Sequence, residues 1–202
     1  MGITIPAETL RRFWTMIAHF HGQVWNAAQL ARSLGVSENT VRGYLDILAG
    51  AFMVRLLPPW FENLRKRQVK SPKVYLRDTG LLHALLHVER LADLQSHPKL
   101  GASWEGFALE QMCTMLEARE VYFWATHGGA ELDLLVTVSG KRHGFEFKYA
   151  DAPRSTRSMR VALEDLDLEK IWVIYPGTKR YELDESITVC PLAGLTGLVE
   201  AL

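Results

Sequence analysis

Apolar residues Leu10, Phe13, Trp14, Ile17 and Phe20 recur at helical spacing and predict an amphipathic helix from about Leu10 to His21-Gly22. The stretch NAAQLARSLGVSENTVRGYLDIL predicts a helix, a tight turn at Leu34-Gly35-Val36, and a second helix with Ser37 as its N-cap. Ala31 is small where the two helices would cross, and Gly35 sits where the turn needs a positive φ. Leu30, Leu34, Val36, Val41 and Tyr44 supply the apolar seam. AFMVRLLPPW then reads as a strand ending at Pro58-Pro59 and KVYLRDTG as another, with ENLRKRQVKSP between them. DTGLLHALL and VERLADLQ read as short helices, and GASWEGFALEQMCTMLEARE as a longer one opening near Ser103. VYFWAT is a strand, and ELDLLVTV and GFEFKY alternate on either side of a turn at Ser139-Gly140, which predicts a hairpin.

These elements predict an α/β chain, α+β overall, with a winged helix-turn-helix over residues 1–77 and a mixed sheet flanked by helices over 78–202. The second helix of the pair would expose Asn39, Thr40 and Arg42, side chains suited to base edges and phosphates. Arg65, Lys66, Arg67, Lys70 and Lys73 form a basic run on the wing, where backbone phosphates would be met. A solvated loop and a protein-docking helix pair are the alternatives. His19 and His21, at i, i+2 spacing, point to different faces of the first helix and read as solvated or capping residues.

Charge sharpens the division. The net charge is zero, but residues 1–77 carry 11 basic and 4 acidic side chains against 12 and 19 in 78–202. A basic part of this kind suits a polyanion such as DNA. Cys113 and Cys190 are far apart and outside any CxxC or Cys/His cluster, which argues against a zinc site or a disulfide framework. No signal-like or membrane-spanning apolar run is present, so a cytoplasmic protein without membrane contact is expected.

The hairpin carries the chemistry. With a two-residue loop at Ser139-Gly140, Asp133 lies opposite Glu146, and Glu131 opposite Lys148. Two like charges facing each other destabilise a sheet unless a cation lies between them. Asp133 and Glu146, a third oxygen from Glu105, the carbonyl of residue 147 and waters would make a shell for Mg²⁺ or Mn²⁺. Lys148 would then attend a scissile phosphate. Glu105 shares its helix face with Ala108, Leu109, Met112 and Leu116, while Glu110 and Glu117 mark a solvated face. Asp151, Arg154 and Arg157 follow and are placed to touch a nucleic-acid backbone, or else are solvated. A salt-bridged, solvent-facing hairpin is the plain alternative to the metal site.

The order Glu105, Asp133, Glu146-Phe147-Lys148 resembles the PD-(D/E)XK core of Holliday-junction resolvases and restriction endonucleases. More broadly, nearly the whole chain resembles the C-terminal region, known as domain of unknown function 4143, of prokaryotic AAA+ family ATPases. The blocks that carry this are the helix-turn-helix, K-S-P-K-V-Y-L-R-D-T-G-L-L at 70–82, W-E-G-F at 104–107, E-L-D-L-L and F-E-F-K-Y. The resemblance implies Glu105, Asp133, Glu146 and Lys148 as a catalytic set and an ATPase module in the same or another chain. No G-x-x-x-x-G-K-[ST] loop is present here, so ATP binding by this chain is not expected. Two functions follow: a metal-dependent DNA endonuclease module, or a non-catalytic regulatory or docking module of the ATPase with a vestigial nuclease fold.

Overall fold

A computed structural model describes residues 5–62, 67–117 and 120–202. The chain divides into two units, Met1–Leu56 with Ser71–Gly106, and Leu57–Lys70 with Phe107–Leu202. The boundary expected at residues 77 and 78 falls inside the first unit, and the unit boundary itself falls inside a helix.

The first unit begins with α1 (Ala7–Phe20) and a short β1 (Gln23–Val24), followed by α2 (Ala27–Leu34) and α3 (Glu38–Gly50). Asn26 caps α2 by accepting from the Gln29 N–H, and Ser37 caps α3 by accepting from the Thr40 N–H, so each helix start is fixed by its own sequence. Gly35 ends α2 at φ 71°, a left-handed conformation that glycine adopts without penalty. Beyond them lie β2 (Val54–Leu57), β3 (Lys73–Leu76), α4 (Thr79–Leu85), α5 (Leu91–Gln95) and the long α6 (Leu100–Met115). The three strands form a sheet ordered β1-β3-β2. Phe13, Ile17, Leu30, Val41, Leu45 and Leu76 form its apolar core.

The second unit is built on β4 (Val121–Ala125), β5 (Glu131–Val138), β6 (Lys141–Phe147), α7 (Arg157–Asp165), β7 (Lys170–Tyr175), β8 (Tyr181–Asp184), β9 (Ile187–Pro191) and α8 (Leu195–Val199). Its six strands run in the order β4-β5-β6-β7-β9-β8. β4, β5 and β6 are antiparallel, whereas β6, β7 and β9 are parallel. Parallel neighbours require a crossover, and α7 supplies it between β6 and β7. Met159, Ala162 and Leu166 of that crossover pack with Leu132, Ile171 and Val173 of the sheet.

The segment between β2 and β3 departs from expectation. Leu57–Lys70 falls in the second unit and not with the rest of the expected 1–77 domain. Pro58, Trp60 and Val69 lie along β4, the edge strand: the Phe123 N–H donates to Pro58 O at 3.0 Å, Trp60 N–H to Phe123 O at 2.6 Å, and Val69 N–H to Ala125 O at 3.0 Å. An edge strand has unpaired backbone groups, and this segment takes them up. Side chains fix the register. Arg142 donates to Glu62 at 2.6 Å and its guanidinium stacks 5.2 Å from the Trp60 ring. Gln68 accepts from the Trp124 indole N–H and donates to Glu62 O.

Candidate functional site

Ser139 and Gly140 both have positive φ, 51° and 79°, the conformation of the two-residue type I′ turn that suits the twist of paired strands. The ladder runs from Val138 opposite Lys141 to Leu134 opposite Phe145, the register expected from the sequence. Continued by one residue, it sets Asp133 against Glu146. Asp133 Oδ2 accepts from the Phe147 N–H at 3.0 Å. Lys148 Nζ lies 3.5 Å from Asp133 Oδ2 and 2.5 Å from Glu146 Oε2. Three of the four expected catalytic side chains therefore converge.

Burial excludes a solvent-facing hairpin. Asp133 is 6% and Glu146 3% exposed, because β5 and β6 lie inside the sheet and are covered on both faces over most of their length. Burial, and next the negative charge of Asp133, push the Glu146 carboxyl up to about 8, although Lys148 opposes the shift. Lys148 lies just past the end of β6, and its N–H donates to Ile174 O at 2.9 Å.

The oxygen donors of Asp133 and Glu146 are of the type that a hard divalent ion takes. Mg²⁺ retains several waters and commonly takes only one or two protein carboxylates, which Asp133 and Glu146 provide as hard oxygen donors. Among the described residues no group of three or more His, Cys, Asp or Glu side chains is arranged to hold a metal ion. Glu105, expected as a third ligand, lies in the first unit, where its Oε1 accepts from Lys73 Nζ at 3.2 Å and from the Tyr75 hydroxyl.

Three expectations about polar side chains of the first helix, the basic run and α6 are corrected. Lys73 is buried at 3% exposure and paired with Glu105, so it does not present its charge to a phosphate. Glu110 is buried as well, although its spacing suggested a solvated face. His21, read as solvated or capping, is fully buried: its Nδ1 accepts from the Leu76 N–H at 3.0 Å and its Nε2 donates to Ala102 O at 3.1 Å. Desolvation lowers its pKa to about 4, so the ring is neutral at physiological pH. A Cβ on Gly106 would stand 2.4 Å from His21 Nε2, which explains the glycine of W-E-G-F by close approach. The missed partner Tyr75 was readable in principle, since Lys73 and Tyr75 share one face of a strand at i, i+2.

The residues expected to meet nucleic acid fall in both units. Asn39 and Arg42 are exposed on α3, Arg42 3.8 Å from Glu38 in a solvated i, i+4 pair of small energetic consequence. Thr40 is half-buried, its hydroxyl 2.8 Å from the Ser37 cap. Arg67 and Lys70 are exposed in the second unit, and Arg65 and Lys66 lie outside the described residues. No helix among the described residues is long and apolar enough to cross a membrane.

Comparison with known proteins divides the chain between residues 92 and 100, whereas the two structural units interleave in sequence. Uncharacterized proteins of Mycobacterium bovis and Mycobacterium tuberculosis are each 50% identical over 204 residues, covering 100% of this chain. The chain spans 46% of the length of those curated relatives. A crystal structure of a Vibrio cholerae protein aligns with 98% of this chain and 56% of its own at 13% identity, with a TM-score of 0.33. The resemblance expected over nearly the whole chain is split between two families. Residues 2–92 match a domain of unknown function (DUF8612), and residues 100–195, with the hairpin cluster, match another domain of unknown function (DUF4143).

Proposed function

We propose that the second unit is a PD-(D/E)XK-type module that hydrolyses phosphodiester bonds of DNA with Mg²⁺ or Mn²⁺, and that the first is a winged helix holding the substrate through α3. The observation that carries this reading is the convergence of Asp133, Glu146 and Lys148 on one buried hairpin. Asp133 and Glu146 would hold the ion. When bound, it supplies Lewis-acid polarisation of a phosphoryl oxygen. The Phe147 N–H fixes the Asp133 carboxylate, so that ligand is oriented before substrate arrives. Lys148, 37% exposed at its side chain, has both the charge and the access to offset negative charge growing on the phosphate. Asn39, Thr40 and Arg42 on α3, with Arg65, Lys66, Arg67 and Lys70, would supply phosphate and base contacts.

The test is nicking of supercoiled plasmid DNA in Mg²⁺ or Mn²⁺. Wild type should nick, and Asp133→Asn and Lys148→Met should fall to background. Absence of nicking by wild type, or equal nicking by all three, contradicts the reading.

One observation favours a second reading. Lys148 already pairs with both carboxylates, which suits a vestigial site in a regulatory or docking module of an ATPase carried in the same or another chain. That module would bind DNA or protein without cleaving.

A further inference from the structure

A cavity of about 550 Å³ in the second unit lies between the β4–β5 turn and the start of α7, and Arg67, His127, Gly128, Gly129, Arg157 and Ser158 border it. Its walls are locally fixed. The turn is closed by Thr126 N–H to Ala130 O at 2.8 Å, and the Ser158 hydroxyl accepts from the Glu131 N–H at 3.3 Å. Thr156 caps α7 on the Met159 N–H. The backbone of Arg67 is held by the His127 N–H at 2.8 Å. Gly128 and Gly129 leave the turn without side chains, so a bulky group can approach its backbone.

The charge is one-sided. Both arginines are exposed, and among the described residues neither guanidinium has an ion pair or hydrogen bond. Guanidinium forks match phosphate oxygens, and the amino end of α7, whose first residues are Arg157 and Ser158, favours an anion. The volume is that of a small-molecule or nucleotide-sized site. The cavity also borders the start of β5, two residues before Asp133, through the Ser158 bond to Glu131.

We propose that this cavity binds a phosphodiester group of a single nucleic-acid strand, with Arg67 and Arg157 clasping the phosphate and the Gly128-Gly129 turn giving room for the attached nucleotide. The proposal rests on the phosphodiesterase reading for the identity of its ligand, since it supplies a subsite flanking the bond that the carboxylates would act on. It goes beyond that reading in naming a binding site that needs no metal.

The experiment is fluorescence anisotropy of a labelled oligothymidylate with the full chain in chelator, so a failed nuclease reading leaves this result intact. Arg67→Ala and Arg157→Ala should each weaken binding about tenfold. Each should also lower the log–log salt slope by about 0.7, the value for one contact to a single strand. Lys179→Ala removes an exposed positive charge away from the cavity and should leave both quantities nearly unchanged. The proposal is overturned if the arginine variants behave as Lys179→Ala does, or if wild type does not bind. Tighter binding of a phosphoserine peptide than of the oligonucleotide also overturns it, by assigning the pocket to a protein partner.

Discussion

The Asp133 carboxylate accepts a hydrogen bond from the backbone N–H of Phe147, the residue between Glu146 and Lys148. Through that bond β5 orients its own acid and ties it to the E-x-K stretch of β6. Asparagine can accept the same bond, so Asp133→Asn should fold normally. Loss of its negative charge should lower the Glu146 pKa from about 8, because Asp133 is the second cause of the elevation after burial. Carbon-detected NMR titration of the Glu146 carboxyl in chelator measures this.

Glu146→Gln should change how stability depends on pH. The wild-type carboxyl has a folded pKa of about 8 against 4.5 when unperturbed, so between those values the folded state binds more protons than the unfolded. Its contribution is fully present below pH 4.5 and is lost as pH rises through about 8. Melts in chelator should show the variant gaining on wild type over that interval, and a constant difference would deny the shift.

Replacing Lys148 by Met leaves two buried carboxyl groups with one fewer counterion. Glu146 can keep its proton, which limits the cost to about 1–3 kcal/mol. Chemical denaturation measures it. Millimolar Mg²⁺ should restore more stability to this variant than to wild type if the ion and the ammonium compete for the same carboxylates.

His21 predicts the opposite pH slope in the first unit. Its folded pKa of about 4 lies below 6.5, so the unfolded state binds more protons between the two. The stability is present above pH 6.5 and is lost as pH falls through about 4. NMR of the ring should show a neutral Nε2–H tautomer down to about pH 4. A ring that protonates near 6.5 would contradict the buried hydrogen bonds.

Local rules made some of this legible in the sequence. The Ser139-Gly140 loop length set the hairpin register and hence the Asp133–Glu146 juxtaposition, and Ser37 and Gly35 announced the α2–α3 turn by capping and by positive φ. What stayed hidden is non-local. Pro58, Trp60 and Val69 pair with β4, more than fifty positions away, through backbone hydrogen bonds of which the sequence gives no clue. Lys73 looked like one more cation of that run, and only the fold brings Glu105 to it. His21 at a helix end carries no local sign that Leu76 and Ala102 will enclose it.

In the proposed function Asp133 and Glu146 together hold one divalent ion. Isothermal titration calorimetry of Mn²⁺ into the full chain tests it most directly. The account predicts one ion per chain for wild type, and no binding by either Asp133→Asn or Glu146→Gln while both remain folded. Absence of binding by wild type at millimolar Mn²⁺, or binding that both variants retain, would make the buried cluster a structural ion pair.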